Sequence, residues 1–347
     1  MCAVIHSHVS FHGIAELKEV EHHTGLRLQR VPERVRAGLA DKSAERMLAP
    51  AGAEVRFLSD GPEVEITLSC PTTACELIPF WGGFQLAERH RIGTEPESIR
   101  LVYPERLRQL KDRTAGSSGF SPEIWRLTLR GLDKHGVVHF HGIQGDGLRP
   151  PPGEQLPART YLAYGTSITE GFSASAAHLT FGAQTARRLG MDHINLGCAG
   201  SCYCEPAMAD YIADLDGWDI ATLEIAVNMI GAGFSANTFR ERAAYMIDRI
   251  AGTNPARPVV CIVPFPYFAE LCRDIAGPHQ AEVADAYRTA IRDLVTQSPH
   301  PNLHWVEGAD LLKDIDGYTA DLAHPGDAAM TQITSQLVPR LAALLSH

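Results

Sequence analysis

Tyr161-Leu162-Ala163-Tyr164-Gly165-Thr166-Ser167-Ile168-Thr169 runs from four apolar residues into a glycine and then a string of hydroxyls. The apolar part is short and bounded by glycine, which reads as a strand buried on both faces, as in a parallel sheet. Further apolar runs follow at residues 193–196, 220–227, 259–263 and 303–306. Helix-period segments come after them, at about 181–189, 206–215, 238–251, 280–297 and 327–345. Strand, loop and helix in repetition predict an α/β domain whose parallel sheet is covered on both faces. Ligands of such sheets sit beyond the carboxyl ends of the strands.

Upstream of about residue 145 the pattern has a different period. Residues 53–58 and 63–69 alternate, with Val55 and Phe57, then Val64, Ile66 and Leu68, on one face. Ser59-Asp60-Gly61-Pro62 between them is a turn signal. Residues 99–103, 125–129 and 137–143 are further strand candidates, and the whole predicts an antiparallel β-domain of sandwich or jelly-roll type. Residues 146–158 hold Gly147, Pro150, Pro151, Pro152, Gly153 and Pro157. That run continues neither a strand ladder nor a helix. The expected organisation is therefore a β-domain at 1–145, a linker at 146–158 and a second domain at 159–347.

Composition narrows the function classes. A chain of 347 residues with 45% hydrophobic content has room for two ordinary cores. A net charge of −10 argues against nucleic acid and against an anionic membrane surface. No apolar stretch reaches membrane-spanning length. The start, Met1-Cys2-Ala3-Val4-Ile5-His6, lacks the marks of a signal peptide. Eight irregularly spaced cysteines are not a secreted disulfide framework, so a reducing cytoplasm is expected. Arginines gather at Arg27, Arg30, Arg34 and Arg36, and basic residues again at Arg106, Arg108, Lys111 and Arg113. Both clusters read as solvated faces, and the sharper alternative is a seat for a phosphate-bearing acyl-coenzyme donor.

Three more segments fall at the rim marked by Ser167. They are Asn195-Leu196-Gly197-Cys198-Ala199-Gly200-Ser201, Ala226-Val227-Asn228-Met229 and Asp321-Leu322-Ala323-His324-Pro325. A serine hydroxyl is a weak nucleophile until a base takes its proton. His324 is the candidate base. Asp321, three residues earlier, can accept its Nδ1 proton and leave Nε2 to face Ser167. The N–H groups of Ser167 and Gly200 and the amide of Asn228 are candidate oxyanion donors. Taken singly, each has a plainer reading: Ser167 with Glu170 as a helix capping box, Gly200 as a tight turn, Asn228 as a strand-end cap. Their convergence on one sheet edge is the specific signal.

These four segments resemble the SGNH, or GDSL-type, hydrolase superfamily, over about residues 158–345. The resemblance implies a flavodoxin-like three-layer α/β/α domain with no cofactor. It casts Ser167 as nucleophile, Gly200 and Asn228 as oxyanion donors, and His324 with Asp321 as the base pair. Thr166 replaces the usual aspartate of Gly-Asp-Ser, and Ala226 and Met229 depart from the usual Gly-x-Asn-Asp. Thr166 and Met229 are thus candidates for shaping the substrate pocket. An N-terminal β-domain is similar to a subgroup of carbohydrate O-deacetylases and related O-acyltransferases.

Other signals weigh less. Cys198, Cys202 and Cys204 lack zinc-site spacing, and His139 and His141 lack a third ligand, so no metal is expected. Phe80-Trp81-Gly82-Gly83-Phe84 reads as packing between the domains, or else as a platform for a sugar or an aromatic acyl group. The expected partner is a small ester or an acyl-coenzyme, and the oligomeric state stays open. The expected reaction is hydrolysis of a small O-acylated molecule through an acyl-serine. O-acyl transfer from an acyl-coenzyme to a hydroxyl is the alternative. A catalytically silent carbohydrate-binding protein is the reading from another class.

Overall fold

The computed structural model describes residues 3–111, 118–133, 135–272 and 277–346. The chain divides into two compact units: Met1–Arg34 with Ala44–Thr160 and Ala186–Ile194, and Val35–Ser43 with Tyr161–Thr185 and Asn195–His347. Residues 146–158, expected as a linker, are grouped with the first unit, and two short segments are exchanged across that boundary.

The first unit holds two antiparallel sheets. One is seven-stranded and runs Ala3–His6, Val9–His12, Glu54–Phe57, Trp125–Gly131, Cys75–Trp81 and Phe84–Gln85, with His90–Ile92 also paired to Cys75–Trp81. The other is five-stranded and runs Glu97–Val102, Glu63–Ser69, His139–Gly145, Leu26–Gln29 and Glu16–Glu19. Alternation along each strand sends one face inward. Val55, Phe57, Trp81 and Trp125 of the first sheet share a core with Val64, Ile66, Leu68 and Phe140 of the second. The inward face read from the sequence is correct for Val55, Phe57, Val64, Ile66 and Leu68. Ser59-Asp60-Gly61-Pro62, however, joins two strands of different sheets, so it turns a sandwich corner and not a hairpin.

Several other expectations change. Trp81 is enclosed within the first unit's own core, where its ring meets Trp125 at 5.2 Å and Tyr103 at 5.8 Å. Trp81 is thus a core residue of the first unit, and in that cluster Phe84 is the exposed ring. The first arginine cluster is a solvated face only in part, since Arg34 is exposed and Arg36 half-buried. Arg30 is buried and donates to the carbonyls of Ala49 and Arg46, and Arg27 donates to Gln29 and Glu33. Arg106, Arg108 and Lys111 are exposed, and Arg113 lies outside the described residues. His139 and His141 take ordinary partners, the Thr24 carbonyl and the Ser69 hydroxyl.

The first unit also buries a charge network. Arg56 forms a bidentate pair with Asp192 at 2.6 and 2.7 Å, and its Nε donates to Glu54 at 2.7 Å. Arg126 closes on the other side of Glu54 at 2.6 and 2.9 Å. Burial pushes the Glu54 carboxyl up, but the two guanidinium groups win and hold it at about 2. Such an assembly resists the loss of any one member, because the partner left behind stays desolvated.

The second unit is built on a five-stranded sheet in the order Asp192–Gly197, Thr160–Gly165, Ile220–Glu224, Val259–Val263, Leu303–Glu307. The pairs from Thr160–Gly165 onward are parallel. The three central strands are buried almost throughout, as two-sided cover demands. Pro206–Asp214, Ala236–Thr253 and Gly277–Thr296 pack as one helical row, and Asp327–Leu345 packs with the short helix Gly308–Leu311. This is an α/β domain of flavodoxin-like strand order, whose switch point lies between the strands Thr160–Gly165 and Ile220–Glu224. No helix among the described residues is long and apolar enough to cross a membrane.

Candidate active site

Ser167 opens the four-residue helix Ser167–Glu170 directly beyond the strand Thr160–Gly165. The capping box expected of Ser167 and Glu170 does not form. Thr166 is the N-cap, its hydroxyl accepting from the Ile168 N–H at 3.3 Å. Ser167 is thereby left as the first helical residue, whose N–H has no partner within the helix. Glu170 instead accepts the Ala199 N–H at 2.7 Å, and the Cys198 N–H reaches the Gly165 carbonyl at 2.8 Å. These two bonds register residues 198–200 against the serine turn. Gly165 is required by that turn, since a Cβ there would lie 2.3 Å from the Thr169 hydroxyl and 2.6 Å from the Glu224 carbonyl.

The serine hydroxyl meets its expected partner. Ser167 Oγ lies 2.8 Å from His324 Nε2, and His324 Nδ1 lies 2.6 Å from Asp321 Oδ2. Asp321 is held in turn: its Oδ1 accepts from the Thr319 hydroxyl at 2.8 Å and from the N–H groups of Ala323 at 2.9 Å and His324 at 3.0 Å. Desolvation pushes this carboxyl up, yet the bonds from His324, Ala323 and Thr319 overcome it and hold it well below the usual carboxylate range. An ionised carboxylate fixed this way holds the Nδ1–H tautomer and leaves Nε2 free to accept the serine proton.

Asn228 does not sit at a strand end as expected. The strand stops at Glu224, and Asn228 lies in the first turn of the helix Val227–Gly231. Its Oδ1 accepts the Cys202 N–H at 3.1 Å. Because an N–H bonds only to the oxygen, this contact fixes the amide orientation and leaves Nδ2 as the donor on the other branch. Ala226, at the helix N-cap, has φ of 119°, a left-handed conformation natural to glycine and strained for alanine. Gly200 has φ of +71°, and a Cβ on it would lie 3.2 Å from Lys42 Nζ. Thr166 and Met229, expected to shape a pocket, are wholly buried. The side chain exposed at the dyad is Phe172, its ring 5.3 Å from that of His324.

Two contributors were not read from the sequence. Lys42 reaches the Gly200 loop through a segment pinned by bonds from the Ala40 N–H to Glu205 and from the Ser43 hydroxyl to the Ser201 carbonyl, both 2.9 Å. Glu224 lies under the serine turn. Its Oε2 accepts from the Thr166 N–H at 2.9 Å, the Thr166 hydroxyl at 2.7 Å and the Thr169 hydroxyl at 3.0 Å. Burial raises this carboxyl, and the threonine bonds only partly offset it, leaving it at about 7. A lone charged residue inside an otherwise apolar strand was the available signal. Among the described residues no three His, Cys, Asp or Glu side chains are grouped to hold a metal.

A sheet of this strand order, with a hydroxyl–imidazole–carboxylate relay at its switch point, in a chain that also holds an antiparallel β-domain, defines an SGNH-type enzyme. Residues 159–342 match the GDSL-like Lipase/Acylhydrolase family, and the chain belongs to that family. It is a GDSL-type enzyme, of a class that includes esterases and acyltransferases. Among solved structures it is similar to the salicylyl-acyltransferase SsfX3 from a tetracycline biosynthetic pathway, at 16% identity and a TM-score of 0.76, over 97% of this chain and 95% of that one. It is also similar to a family two carbohydrate esterase of Cellvibrio japonicus, at 12% identity and a TM-score of 0.63, over 99% and 97%. The family two carbohydrate esterase of Clostridium thermocellum, in complex with cellohexaose, matches at 16% identity and 0.61, over 85% and 93%. At these identities the likeness is one of fold. No curated protein matches the chain.

Proposed function

We propose that this protein hydrolyses a small O-acylated molecule through an acyl ester on Ser167, with the second unit carrying the chemistry. The supporting observation is the unbroken hydrogen-bond relay from Ser167 Oγ through His324 to Asp321. Ser167 Oγ attacks the ester carbonyl while His324 Nε2 takes its proton. The N–H groups of Ser167 and Gly200 and the Nδ2 of Asn228 receive the oxyanion, and loss of one such donor typically costs ~10²–10³ in turnover. Collapse expels the alcohol, which takes its proton from His324. His324 then deprotonates water, and the hydroxide releases the acid and restores the serine. We place the protein in the cytoplasm, on the irregular spacing of its eight cysteines.

One observation favours a second reading, O-acyl transfer from an anionic acyl-coenzyme. Lys42 places an exposed ammonium beside Gly200. The first arginine cluster lends no comparable support, because Arg27 and Arg30 are already engaged by the protein itself. Cleavage of p-nitrophenyl acetate by the parent, absent in Ser167→Ala, is the expected result; equal rates would remove the acyl-serine. Supplied with an acyl thioester and an alcohol, a hydrolase makes free acid and a transferase makes ester faster than acid.

A further inference from the structure

Far along the chain from Ser167, the first unit brings two thiols together at a corner of its sandwich. Cys70 directly follows the strand Glu63–Ser69 of the five-stranded sheet, and Cys75 begins the strand Cys75–Trp81 of the seven-stranded sheet. Their sulfurs are 3.1 Å apart. Both residues are buried, while Thr72 between them is exposed. The intervening loop is braced: the Val137 N–H donates to the Thr72 hydroxyl at 3.1 Å, and the Thr73 hydroxyl donates to Asp133 at 3.0 Å. Gly136 backs directly onto the pair, since a Cβ there would lie 2.9 Å from Cys75 Sγ.

We propose that Cys70 and Cys75 form an oxidisable dithiol that closes into an intramolecular disulfide when the protein meets a low-molecular-weight disulfide. The Cys70 thiolate attacks one sulfur of the reagent, expelling one thiolate and leaving a mixed disulfide on Cys70. Cys75 loses its proton and attacks the Cys70 sulfur, expelling the second thiolate. The two protein thiols are oxidised and the reagent is reduced to two thiols. The final bond needs the sulfurs to close from 3.1 Å to ~2.05 Å, a shift of about 1 Å. The division of roles follows from surroundings. The hydrogen bond from Cys75 outweighs desolvation and, with further bonds from Thr73, Thr72 and Val137, pulls the Cys70 thiol down to about 6. The same contact, together with burial and the charge of Asp133, raises Cys75. Cys70 is therefore the attacking thiolate and Cys75 the resolving thiol.

The closed bond would tie the two sheets together at the corner between residues 69 and 75. The test treats the full-length native protein with oxidised glutathione, alkylates the free thiols and maps peptides by mass. Both cysteines fall in one tryptic peptide, residues 57–89. That peptide is expected to be lighter by two hydrogens and unalkylated, and Tm to rise by ~5 °C. Cys75→Ser should stall as a glutathione adduct on Cys70. If Cys70 and Cys75 are both alkylated while the half-exposed Cys272 in the same sample carries glutathione, the proposal is overturned. It is equally overturned if Cys70 pairs with any other cysteine. The parent peptide decides the matter even if the serine variant does not fold.

Discussion

Glu224→Gln separates a structural carboxyl from its charge. Glu224 is fully enclosed, and burial lifts its carboxyl from 4.5 to about 7 against the pull of the Thr166 and Thr169 bonds. Between those two values the folded state holds a proton that the unfolded state has lost. A carboxyl raised on folding contributes its stability fully below 4.5, and loses it as pH rises through 7. The displacement is about 2.5 pH units, worth ~3 kcal/mol at full ionisation. Glutamine keeps an oxygen acceptor for the Thr166 N–H and both hydroxyls but has nothing to ionise. Urea unfolding followed by circular dichroism, on parent and variant at pH 5 and pH 9, therefore has a definite expectation. The stability difference moves by about 3 kcal/mol in favour of the variant at the higher pH. Other titrating groups are common to both proteins and cancel in the difference. A difference that stays constant between the two pH values would refute the reasoning. Glu224→Ala is the companion: it strips the acceptor from the serine turn, so turnover falls sharply where glutamine preserves it.

Asp321→Asn keeps the shape of the relay but not the charge that fixes the His324 tautomer. We expect normal unfolding and a fall in kcat of ~10⁴, and an unchanged kcat would mean that another acid serves His324. Ala226→Gly relieves a strained φ of 119°, so a rise in stability of ~1 kcal/mol is expected after the entropy cost of glycine; a loss in the urea midpoint would contradict the strain. Asp192→Ala leaves the bidentate face of Arg56 buried and unpaired, at a cost of about 3 kcal/mol, and a change in Tm within error would mean that the network is not under tension. The parent itself should lose stability on acidification in two stages. His193, whose ring burial holds down at about 4, loses its contribution as pH falls from 6.5 towards 4, and Glu54, held at about 2, loses its own below 4.5.

How much of this was legible in the sequence depends on how local each cause is. The parallel strands were readable because two-sided burial leaves unbroken apolar runs such as 259–263, and the helices because their period persists over several turns. Glu16–Glu19 and Leu26–Gln29 were missed: at four residues each, with charges interleaved, they carry no periodic signal of their own. The corner at 59–62 looks like any tight turn, and only the pairing of its flanking strands with different partners tells it from a hairpin. Ser167 was findable because it lies in a short segment at a strand's end, and Asp321 and His324 because they lie three residues apart in the loop before the last helix. Glu224 interrupts the apolar run 220–227, but its meaning lies in Thr166 and Thr169, more than fifty residues away in the chain. Lys42 had no signal at all, since its position is set by bonds from Ala40 and Ser43 to residues beyond 200.

The central claim is that one hydroxyl, activated by His324, forms a covalent acyl ester. A fluorophosphonate, which phosphonylates only a serine made nucleophilic by its base, tests this at the atom concerned. The account predicts one adduct per chain, on Ser167 by peptide mass mapping, formed far more slowly in His324→Ala. Adduct on another residue, or continued ester cleavage by a protein whose Ser167 is fully labelled, would contradict it.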